Sequence, residues 1–310
     1  MQTVLLFPGQ GSQAVGMGKD FAENYPEAKA VFERVDETLG EKLSELIWEG
    51  NIEELTLTRN VQPALMATSM AAYKAIISEG FSVSTIKFMA GHSLGEYSAL
   101  CAAGSISLED TAKLLRLRGE AMQQAVKVGE GKMAAILGLD VNTVREITEL
   151  ASSKGVCDIA NDNDPKQIVV SGEKGAVLKA IEIAAERGAR RVVELAVSAP
   201  FHCQLMEPAA ARMKEALDAT AIKNPSVPII SNVTAEPVTS SAEIRSNLVK
   251  QVVSTVRWHE SMNYLSQQQI SNAYEIGSGN VLTGLLRRID RNIKCVPVSN
   301  SLQAKAVLER

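Results

Sequence analysis

Short apolar runs alternate with longer amphipathic stretches along most of the chain. The apolar runs have the length of buried strands and the amphipathic stretches have helical periodicity, which together indicate an α/β protein. The first run, Thr3–Phe7, ends in a turn-rich segment at residues 8–13 (PGQGSQ) and predicts a buried first strand. Pro26 opens the next amphipathic stretch, where proline is typical of the first turn of a helix.

The same pattern predicts the elements on either side of a central segment. Before that segment the prediction is a strand at 86–90 and helices at 62–80, 94–103 and 108–128. After it, a helix is expected from Gln204, with strands at 227–231, 273–276 and 295–298. These elements belong to a large α/β domain with a mostly parallel sheet.

The texture of the chain changes after residues 129–131 (GEG). Strands are predicted at 133–139, 157–160, 167–171 and 191–197, helices at 141–153 and 177–187, and a tight turn at 161–165 (NDNDP). The order βαββαβ within about 70 residues is that of a ferredoxin-like unit. We therefore predict a ferredoxin-like small domain at 130–198, inserted into a large domain formed by 1–129 and 199–310.

Composition and charge exclude several classes of protein. A chain of 310 residues has room for about two domains. The formal net charge is only −4, no long block of like charge occurs and 4% of the residues are aromatic, so no nucleic-acid partner is expected. No apolar run approaches the roughly 18 residues of a membrane span and no cationic leader precedes the first strand. We expect a cytoplasmic monomer with no membrane partner.

Cofactor motifs are missing from the sequence. The four cysteines are scattered without a C-x-x-C spacing, which argues against a zinc site and a disulfide framework. The segment after the first strand has Ala14 at the third position of a dinucleotide fingerprint and Met17 at the lysine position of a P-loop. We therefore expect neither a metal nor a bound cofactor.

A nucleophile motif lies between a predicted strand and a predicted helix. Residues 91–95 (GHSLG) match G-x-S-x-G in the context that a nucleophile elbow requires. The glycines permit a sharp turn that exposes the Ser93 hydroxyl, and the N–H of Leu94 points from a helix N-terminus toward a reacting carbonyl. This motif makes the large domain hydrolase-like. The alternative is a glycine-rich turn without chemistry.

A serine nucleophile needs a base, and the chain offers three histidines. His92 adjoins Ser93, but neighbours on a tight turn point in different directions, so packing is expected of it. His259 opens a helical stretch and is expected on the surface or in packing contacts. His202 follows a strand at the predicted domain junction, where α/β sites form, and is the best base, with a core histidine as the alternative. No acid stands in a motif that would complete a triad; a main-chain or amide oxygen can orient the imidazole instead.

Several motifs taken together resemble one enzyme family. Residues 7–13 (FPGQGSQ), 62–64 (QPA) and 91–96 (GHSLGE), followed by Arg118 and His202, are similar to the malonyl-CoA:acyl carrier protein transacylases of bacterial fatty acid synthesis. The resemblance extends over essentially the whole chain. The combination is far more specific than G-x-S-x-G, which many esterases share.

The resemblance implies roles for the residues at the matching positions. Ser93 is implied as the acylated nucleophile and His202 as its base and later acid. The main-chain N–H groups of Gln10 and Leu94 are implied as the oxyanion hole. Gln251 falls where the family places a residue whose oxygen accepts from the histidine, which would account for the missing acid.

The resemblance also implies how the acyl group is recognised. Arg118 would bind the free carboxylate of a malonyl group, and a planar guanidinium can do so with two charge-assisted hydrogen bonds. The alternative is a solvated helix-surface arginine, since Arg116 is close by in the sequence. Phe201 resembles the pattern of malonyl-selective rather than methylmalonyl-selective enzymes, although many relatives carry a small residue there.

The implied reaction is transfer of malonyl from coenzyme A to the phosphopantetheine thiol of a holo acyl carrier protein, by a ping-pong route. Malonyl-CoA and that carrier protein are the implied partners, and the coenzyme A thioester is a substrate rather than a cofactor. The alternatives are a serine hydrolase or thioesterase, and a non-catalytic docking module. Carrier proteins of this type are usually acidic, and two basic clusters of this chain could bind one. The first cluster is Arg187, Arg190 and Arg191, and the second is Arg287, Arg288, Arg291 and Lys294. The alternative is that both are solvated surface charge.

Overall fold

The central sheet of the large part of the molecule is built from both ends of the chain. The computed structural model describes residues 2–197 and 199–309. In these residues the sheet has six strands, parallel except at one edge. In spatial order they are β10 (Lys294–Val298), β9 (Asn272–Ile276), β1 (Thr3–Phe7), β2 (Ile86–Gly91), β7 (Ile229–Ile230) and β8 (Pro237–Val238).

A second, antiparallel sheet of four strands is formed by the middle of the described chain. In spatial order its strands are β4 (Cys157–Asp164), β5 (Gln167–Glu173), β3 (Gly131–Leu137) and β6 (Arg191–Glu194). A mixed α/β protein with a largely parallel sheet and a separate antiparallel sheet agrees with the predicted class. The predicted domain junction at residue 198, like residues 1 and 310, lies outside the described residues.

Helices cover both sheets. In the described residues they are α1 (Lys19–Asn24), α2 (Pro26–Leu39), α3 (Leu43–Glu49), α4 (Ile52–Thr56), α5 (Thr58–Ser78), α6 (Leu94–Ala102), α7 (Leu108–Gln124), α8 (Val141–Ala151), α9 (Lys174–Glu186), α10 (Glu207–Ala219), α11 (Ser241–Gln251), α12 (Trp258–Ser266), α13 (Val281–Ile289) and α14 (Ser301–Ala306). None of these helices combines the length and the apolar character needed to cross a membrane.

Strand β1 shows why the large sheet is buried on both faces. Leu5 and Phe7 pack into the core that contains α2, α5 and α7, while Val4 and Leu6 pack into a second core with α12 and α13. Successive side chains of a strand point to opposite faces, so a continuous apolar run fits a central strand covered by helices on both sides.

The predicted tight turn at 161–165 is wrong, because β4 continues to Asp164 and only Pro165 and Lys166 connect it to β5. Asparagine and aspartate favour turns when their side chains bond to the local backbone. Asp164 does accept from the Lys166 N–H at 2.8 Å, where the chain turns after the strand. The same residues also bind distant groups, which keep them in the strand: the Asn163 amide oxygen lies 2.8 Å from His92 Nε2, and Asp164 accepts from Arg288 at 2.6 Å.

Among the other element boundaries that differ from the prediction, two have a clear cause in proline. Helix α5 begins at Thr58, so Pro63 lies inside it rather than in the first turn that proline usually marks. The strand expected at 227–231 is reduced to Ile229–Ile230, since Pro228 has no N–H to donate to a neighbouring strand.

Candidate active site

The carboxyl ends of β1 and β2 place two loops side by side. These strands are adjacent and parallel, with Phe7 opposite Gly91, so the loop that contains Gln10 and the turn that contains Ser93 leave the sheet at the same edge. Ligands of open α/β sheets bind at that edge. The 252–257 segment joins the second sheet there, through the hydrogen bond from Asp162 N–H to the Val256 carbonyl.

The turn at Ser93 is an extremely tight one. Ser93 has φ 54° and ψ −111°, a backbone conformation that residues other than glycine rarely adopt. A Cβ on Gly91 would lie 1.9 Å from the main chain of Gly95, and a Cβ on Gly95 would lie 2.2 Å from the Phe7 carbonyl oxygen. Both glycines are therefore required for α6 to start directly against the end of β1, as in a nucleophile elbow.

Two amide side chains hold this strained turn. The Ser93 N–H donates to Asn232 Oδ1 at 2.8 Å, and Asn232 Nδ2 donates to the Gly91 carbonyl at 2.7 Å. Gln251 Nε2 donates to the Ser93 carbonyl at 3.0 Å. Sequence reasoning missed Asn232 altogether, because it belongs to no motif and lies 139 residues from the serine.

The structure brings Ser93 and His202 together. Ser93 Oγ lies 2.7 Å from His202 Nε2, and His202 Nδ1 lies 2.9 Å from the main-chain oxygen of Gln251. A carbonyl can only accept, so Nδ1 carries the proton and Nε2 is free to accept from the serine hydroxyl. Gln251 thus contacts the imidazole through its main-chain oxygen, an arrangement that can orient the ring.

His202 is poised as a neutral base. Its side chain is buried, and burial together with the nearby positive charge of Arg118 lowers the pKa of His202 to about 3. The imidazole is therefore unprotonated near neutral pH, the form that accepts a proton.

The other two histidines lie in other contacts. His92 Nε2 lies 2.8 Å from Asn163 Oδ1 and the ring packs on Trp258, with centroids 5.4 Å apart. His259 is partly exposed, and its Nδ1 lies 3.7 Å from Asp162 Oδ1. Both placements fit the packing and surface roles expected from the sequence.

The two implied oxyanion donors line the same cavity as Ser93. Leu94 is the first residue of α6, where a helix leaves its N–H groups without an intrahelical acceptor. Gln10 follows β1 in the adjoining loop. Neither N–H donates to an acceptor among residues 2–197 and 199–309.

Arg118 is buried, with 1% of its surface exposed, so the surface alternative is wrong. Its Nη1 donates to Gln62 Oε1 at 2.8 Å, and its Nη2 donates to Gln251 Oε1 at 2.9 Å and to Ser93 Oγ at 3.1 Å. The guanidinium stands over the ring of Tyr97, 5.6 Å from the centroid. A cation thus lies beside the nucleophile.

A close approach of two helices makes this position possible. A Cβ on Gly119 of α7 would lie 2.4 Å from the Thr58 carbonyl oxygen of α5. Because this residue is glycine, α7 can lie directly against α5, which brings Arg118 to Gln62. Arg116, in contrast, bonds to Asn60 and Glu41.

The charges around Arg118 affect one another. Burial lowers the pKa of Arg118, while Tyr97 and Glu96 oppose that shift, and an arginine remains charged in proteins. Burial raises the pKa of Glu96 to about 7, against the effect of hydrogen bonds from Gln251 and Asn232. Glu96 was noted in the sequence only as the last letter of a motif.

A cavity of about 110 Å³ connects these groups. Ser93, His202 and Arg118 line it, and the buried Phe201 closes part of its wall. The space is the size of a small acyl group rather than a long chain. In chemical terms the cavity combines a hydroxyl nucleophile, a neutral base, free N–H donors and a buried cation.

Comparisons with known proteins agree on one family. The family model described as "Acyl transferase domain" matches residues 4–289. The chain is 49% identical over 296 residues to the malonyl CoA-acyl carrier protein transacylase of Bacillus subtilis, covering 95% of this chain and 92% of the relative. It is 40% identical to the protein of the same name from Escherichia coli K12, with 99% of each chain covered.

Solved structures are equally similar. The acyl-carrier-protein-S-malonyltransferase from Bartonella henselae superposes with a TM-score of 0.98 at 52% identity, covering 100% of this chain and 99% of that one. A malonyl-transacylase solved in complex with its type II PKS acyl-carrier protein superposes with a TM-score of 0.97 at 38% identity, over 100% of this chain and 99% of that one.

Proposed function

The chain belongs to the acyl transferase family, and we propose that it moves a malonyl group from coenzyme A to the phosphopantetheine thiol of an acyl carrier protein through an acyl-enzyme on Ser93. The observation that carries the substrate assignment is the buried Arg118 guanidinium, 3.1 Å from Ser93 Oγ. A cation in that place is useful only for an acyl group that bears an anion.

The first half-reaction joins the acyl group to the enzyme. Ser93 Oγ attacks the thioester carbon while His202 Nε2 takes the hydroxyl proton. The negative charge that develops on the carbonyl oxygen is stabilised by the N–H groups of Gln10 and Leu94. The carbon–sulfur bond then breaks, and His202 returns its proton to the departing coenzyme A thiolate.

The second half-reaction reverses these steps with a new thiol. The carrier thiol gives its proton to His202 and attacks the ester carbon, and the proton returns to Ser93 Oγ as the ester bond breaks. The Gln251 carbonyl keeps the imidazole in one tautomer through both halves, as the third member of a triad does. No step needs a metal or a redox cofactor.

A serine hydrolase or thioesterase is the rival among enzymes. It would use the same serine and histidine with water as the acceptor. A buried arginine against the acyl position offers nothing to a plain ester, so the transferase is favoured. A non-catalytic docking module would have no use for the 2.7 Å contact between Ser93 and His202.

The finer architecture is part of the proposal. We interpret the largely parallel sheet and its helices, at 1–129 and 199–310, as a hydrolase-like large domain. The segment 130–198, with the connectivity βαββαβ and the strand order β4-β5-β3-β6, is interpreted as a ferredoxin-like small domain. We further propose that the protein acts as a cytoplasmic monomer.

Arg118→Ala is expected to change substrate preference rather than inactivate the enzyme. Without the guanidinium the malonyl carboxylate is left unpaired in the cavity, at about 2–5 kcal/mol, the range for truncating one member of a buried charge pair. This corresponds to a fall of roughly 30- to 5000-fold in kcat/KM for malonyl-CoA. Acetyl-CoA has no carboxylate, so its acylation rate should be retained or increased.

The measurement is acyl-enzyme formation on Ser93 from the two thioesters. Arg116→Ala is the matched control, because it removes the same type of side chain from the same helix, two residues earlier, where the arginine bonds to Glu41 and Asn60. An equal loss with both substrates would assign Arg118 a structural role. An unchanged malonyl preference would place the carboxylate contact elsewhere.

The basic clusters need one correction as a carrier-binding surface. Arg288 donates to the buried Asp164 at 2.6 Å, and Arg187 pairs with Glu146 at 3.2 Å, so neither is simply a free surface charge. Arg287 and Arg291 are exposed on and after α13, whose residues Leu282 and Leu285 line a cavity with Gln10. We propose that an acidic carrier protein docks there.

Charge reversal at Arg287 and Arg291 is expected to raise KM for the holo carrier protein about three- to tenfold, with KM for malonyl-CoA unchanged within about twofold. Steady-state transfer kinetics at two salt concentrations measure both values, and the difference should shrink at high salt. Reversal of the exposed Lys42, in the connection between α2 and α3, is the control. An unaltered KM for the carrier protein would remove this surface from consideration.

A further inference from the structure

The buried guanidinium of Arg118 is held by neutral oxygens. Its hydrogen bonds within the described residues go to the amide oxygens of Gln62 and Gln251 and to the hydroxyl of Ser93. A buried charge normally has an ionic partner, because removing a charge from water is costly. Uncharged acceptors bond to the two terminal nitrogens of the guanidinium, while its buried Nε has no acceptor among the described residues. The positive charge is left without an anionic partner in contact.

A carboxylate lies close to this cation but is kept from it by an amide group. Glu96 Oε2 accepts from Gln251 Nε2 at 2.7 Å, and the oxygen of the same amide accepts from Arg118. Glu96 therefore favours the charged form of Arg118 from a distance without occupying its donors. Arg118 Nη2, the donor next to Ser93, can therefore exchange its present neutral acceptors for the oxygens of a ligand.

Gln62 holds the opposite side of the guanidinium. Its amide oxygen accepts from Arg118 Nη1, and its amide nitrogen contacts the sulfur of Met122 at 3.7 Å. The side chain is buried in α5 and lines the cavity that contains Ser93. In contrast to Gln251, which also binds Ser93 and Glu96, Gln62 makes one strong polar contact within residues 2–197 and 199–309, the bond to Arg118.

We propose that Gln62 is a positioning residue that determines acyl-group specificity, since its neutral amide fixes Arg118 in place while reserving the positive charge for the carboxylate of the acyl group. This inference rests on the proposed role of Arg118. A carboxylate at position 62 would have the same shape and would also bind the guanidinium. It would neutralise the cation and place a like charge beside the incoming malonyl carboxylate.

Gln62→Glu tests the inference by changing charge with little change in shape. Acylation of Ser93 by malonyl-CoA is expected to fall about 100-fold or more in kcat/KM, since like charges in a desolvated site repel strongly. Acylation by acetyl-CoA is expected to stay within about threefold of wild type. Rapid-quench intact-mass measurements with each thioester give both values, and the melting temperature reports on folding.

Gln124→Glu is the matched control, because Gln124 Oε1 also accepts from an arginine, Arg212 Nη1 at 2.7 Å, but on the exposed end of α7. Its malonyl-to-acetyl ratio should equal that of wild type. Gln62→Met supplies a second test should Gln62→Glu fail to fold. It removes the acceptor without adding charge, and should raise KM for malonyl-CoA about five- to twentyfold with kinetics for acetyl-CoA unchanged.

The outcomes separate this inference from the proposed function. If Arg118→Ala shifts the preference but Gln62→Glu and Gln62→Met keep the wild-type ratio, the role of Gln62 is overturned and that of Arg118 stands. A parallel loss with both thioesters in the Gln62 variants would likewise overturn it, in favour of a purely structural role. If Arg118→Ala itself lowers both rates equally, the carboxylate contact assigned to Arg118 fails first.

Discussion

Ser93→Ala is expected to abolish both acyl-enzyme formation and malonyl transfer, with the residual rate lower by several orders of magnitude. The substitution removes the atom that forms the ester bond, and loss of a catalytic nucleophile has effects of this size. Alanine replaces serine at the same positive φ of 54°, so the backbone strain of the turn is no greater. Intact-mass analysis after mixing with malonyl-CoA measures the adduct directly.

The control for this variant is a serine in another loop that follows a strand. Ser278 lies after β9, is buried, and donates to the Ser12 carbonyl at 2.6 Å. Ser278→Ala should still form the malonyl adduct. Adduct formation at the wild-type rate in Ser93→Ala, with a normal melting temperature, would exclude Ser93 as the nucleophile.

His202→Ala is expected to slow acylation by about 10³-fold or more. It removes the base that contacts Ser93 Oγ at 2.7 Å, and the Gln251 carbonyl on the other side of the ring cannot replace it because a carbonyl is too weak a base. Single-turnover acylation by malonyl-CoA is the measurement. Coenzyme A release in the same samples shows whether the two products form together.

The other histidines provide the comparison. His92→Ala removes a contact with Asn163, and His259→Ala removes a partly exposed ring near Asp162, so each should cost far less than His202→Ala. A larger loss in acylation from either one would show that the wrong base has been assigned.

The pattern of apolar positions predicted the secondary structure well where the local sequence of an element is enough to determine its limits. Strand β1 was predicted at its observed limits, because its apolar run is bounded by turn residues and buried on both faces. The order of strands and helices around the antiparallel sheet was also predicted, since each segment has a clear hydrophobic periodicity. The continuation of β4 through residues 161–164 was not predicted, because Asn163 and Asp164 bind His92 and Arg288, which lie far away in the sequence.

The site residues also differ in how far the local sequence identifies them. Ser93 could be located because a tight turn demands glycines at fixed spacing, and a three-histidine chain left few candidates for the base. The proposed role of Gln251 in orienting His202 depends on its main-chain oxygen, which every residue type possesses, so side-chain chemistry gave no signal for it. The position was available only from the family resemblance.

Contacts between distant segments explain what was missed. Asn232 fixes the turn at Ser93 from the turn that follows β7, far along the chain, and no motif in the neighbouring sequence marks it. The burial of Arg118 depends on the close approach of Gly119 to the main chain of α5. The residues next to Arg118 in the sequence were therefore as compatible with a solvated arginine as with a buried one. Long-range packing of this kind becomes visible only in three dimensions.

The central claim is that Ser93 is acylated by a malonyl group. The most direct test is intact-mass analysis of the wild-type protein mixed with malonyl-CoA, with acetyl-CoA or with no thioester, followed by mapping of the modified peptide. The account predicts one malonyl adduct, located on Ser93, and much less acetyl adduct under the same conditions. A malonyl adduct on another residue, or equal modification by both thioesters, would contradict it.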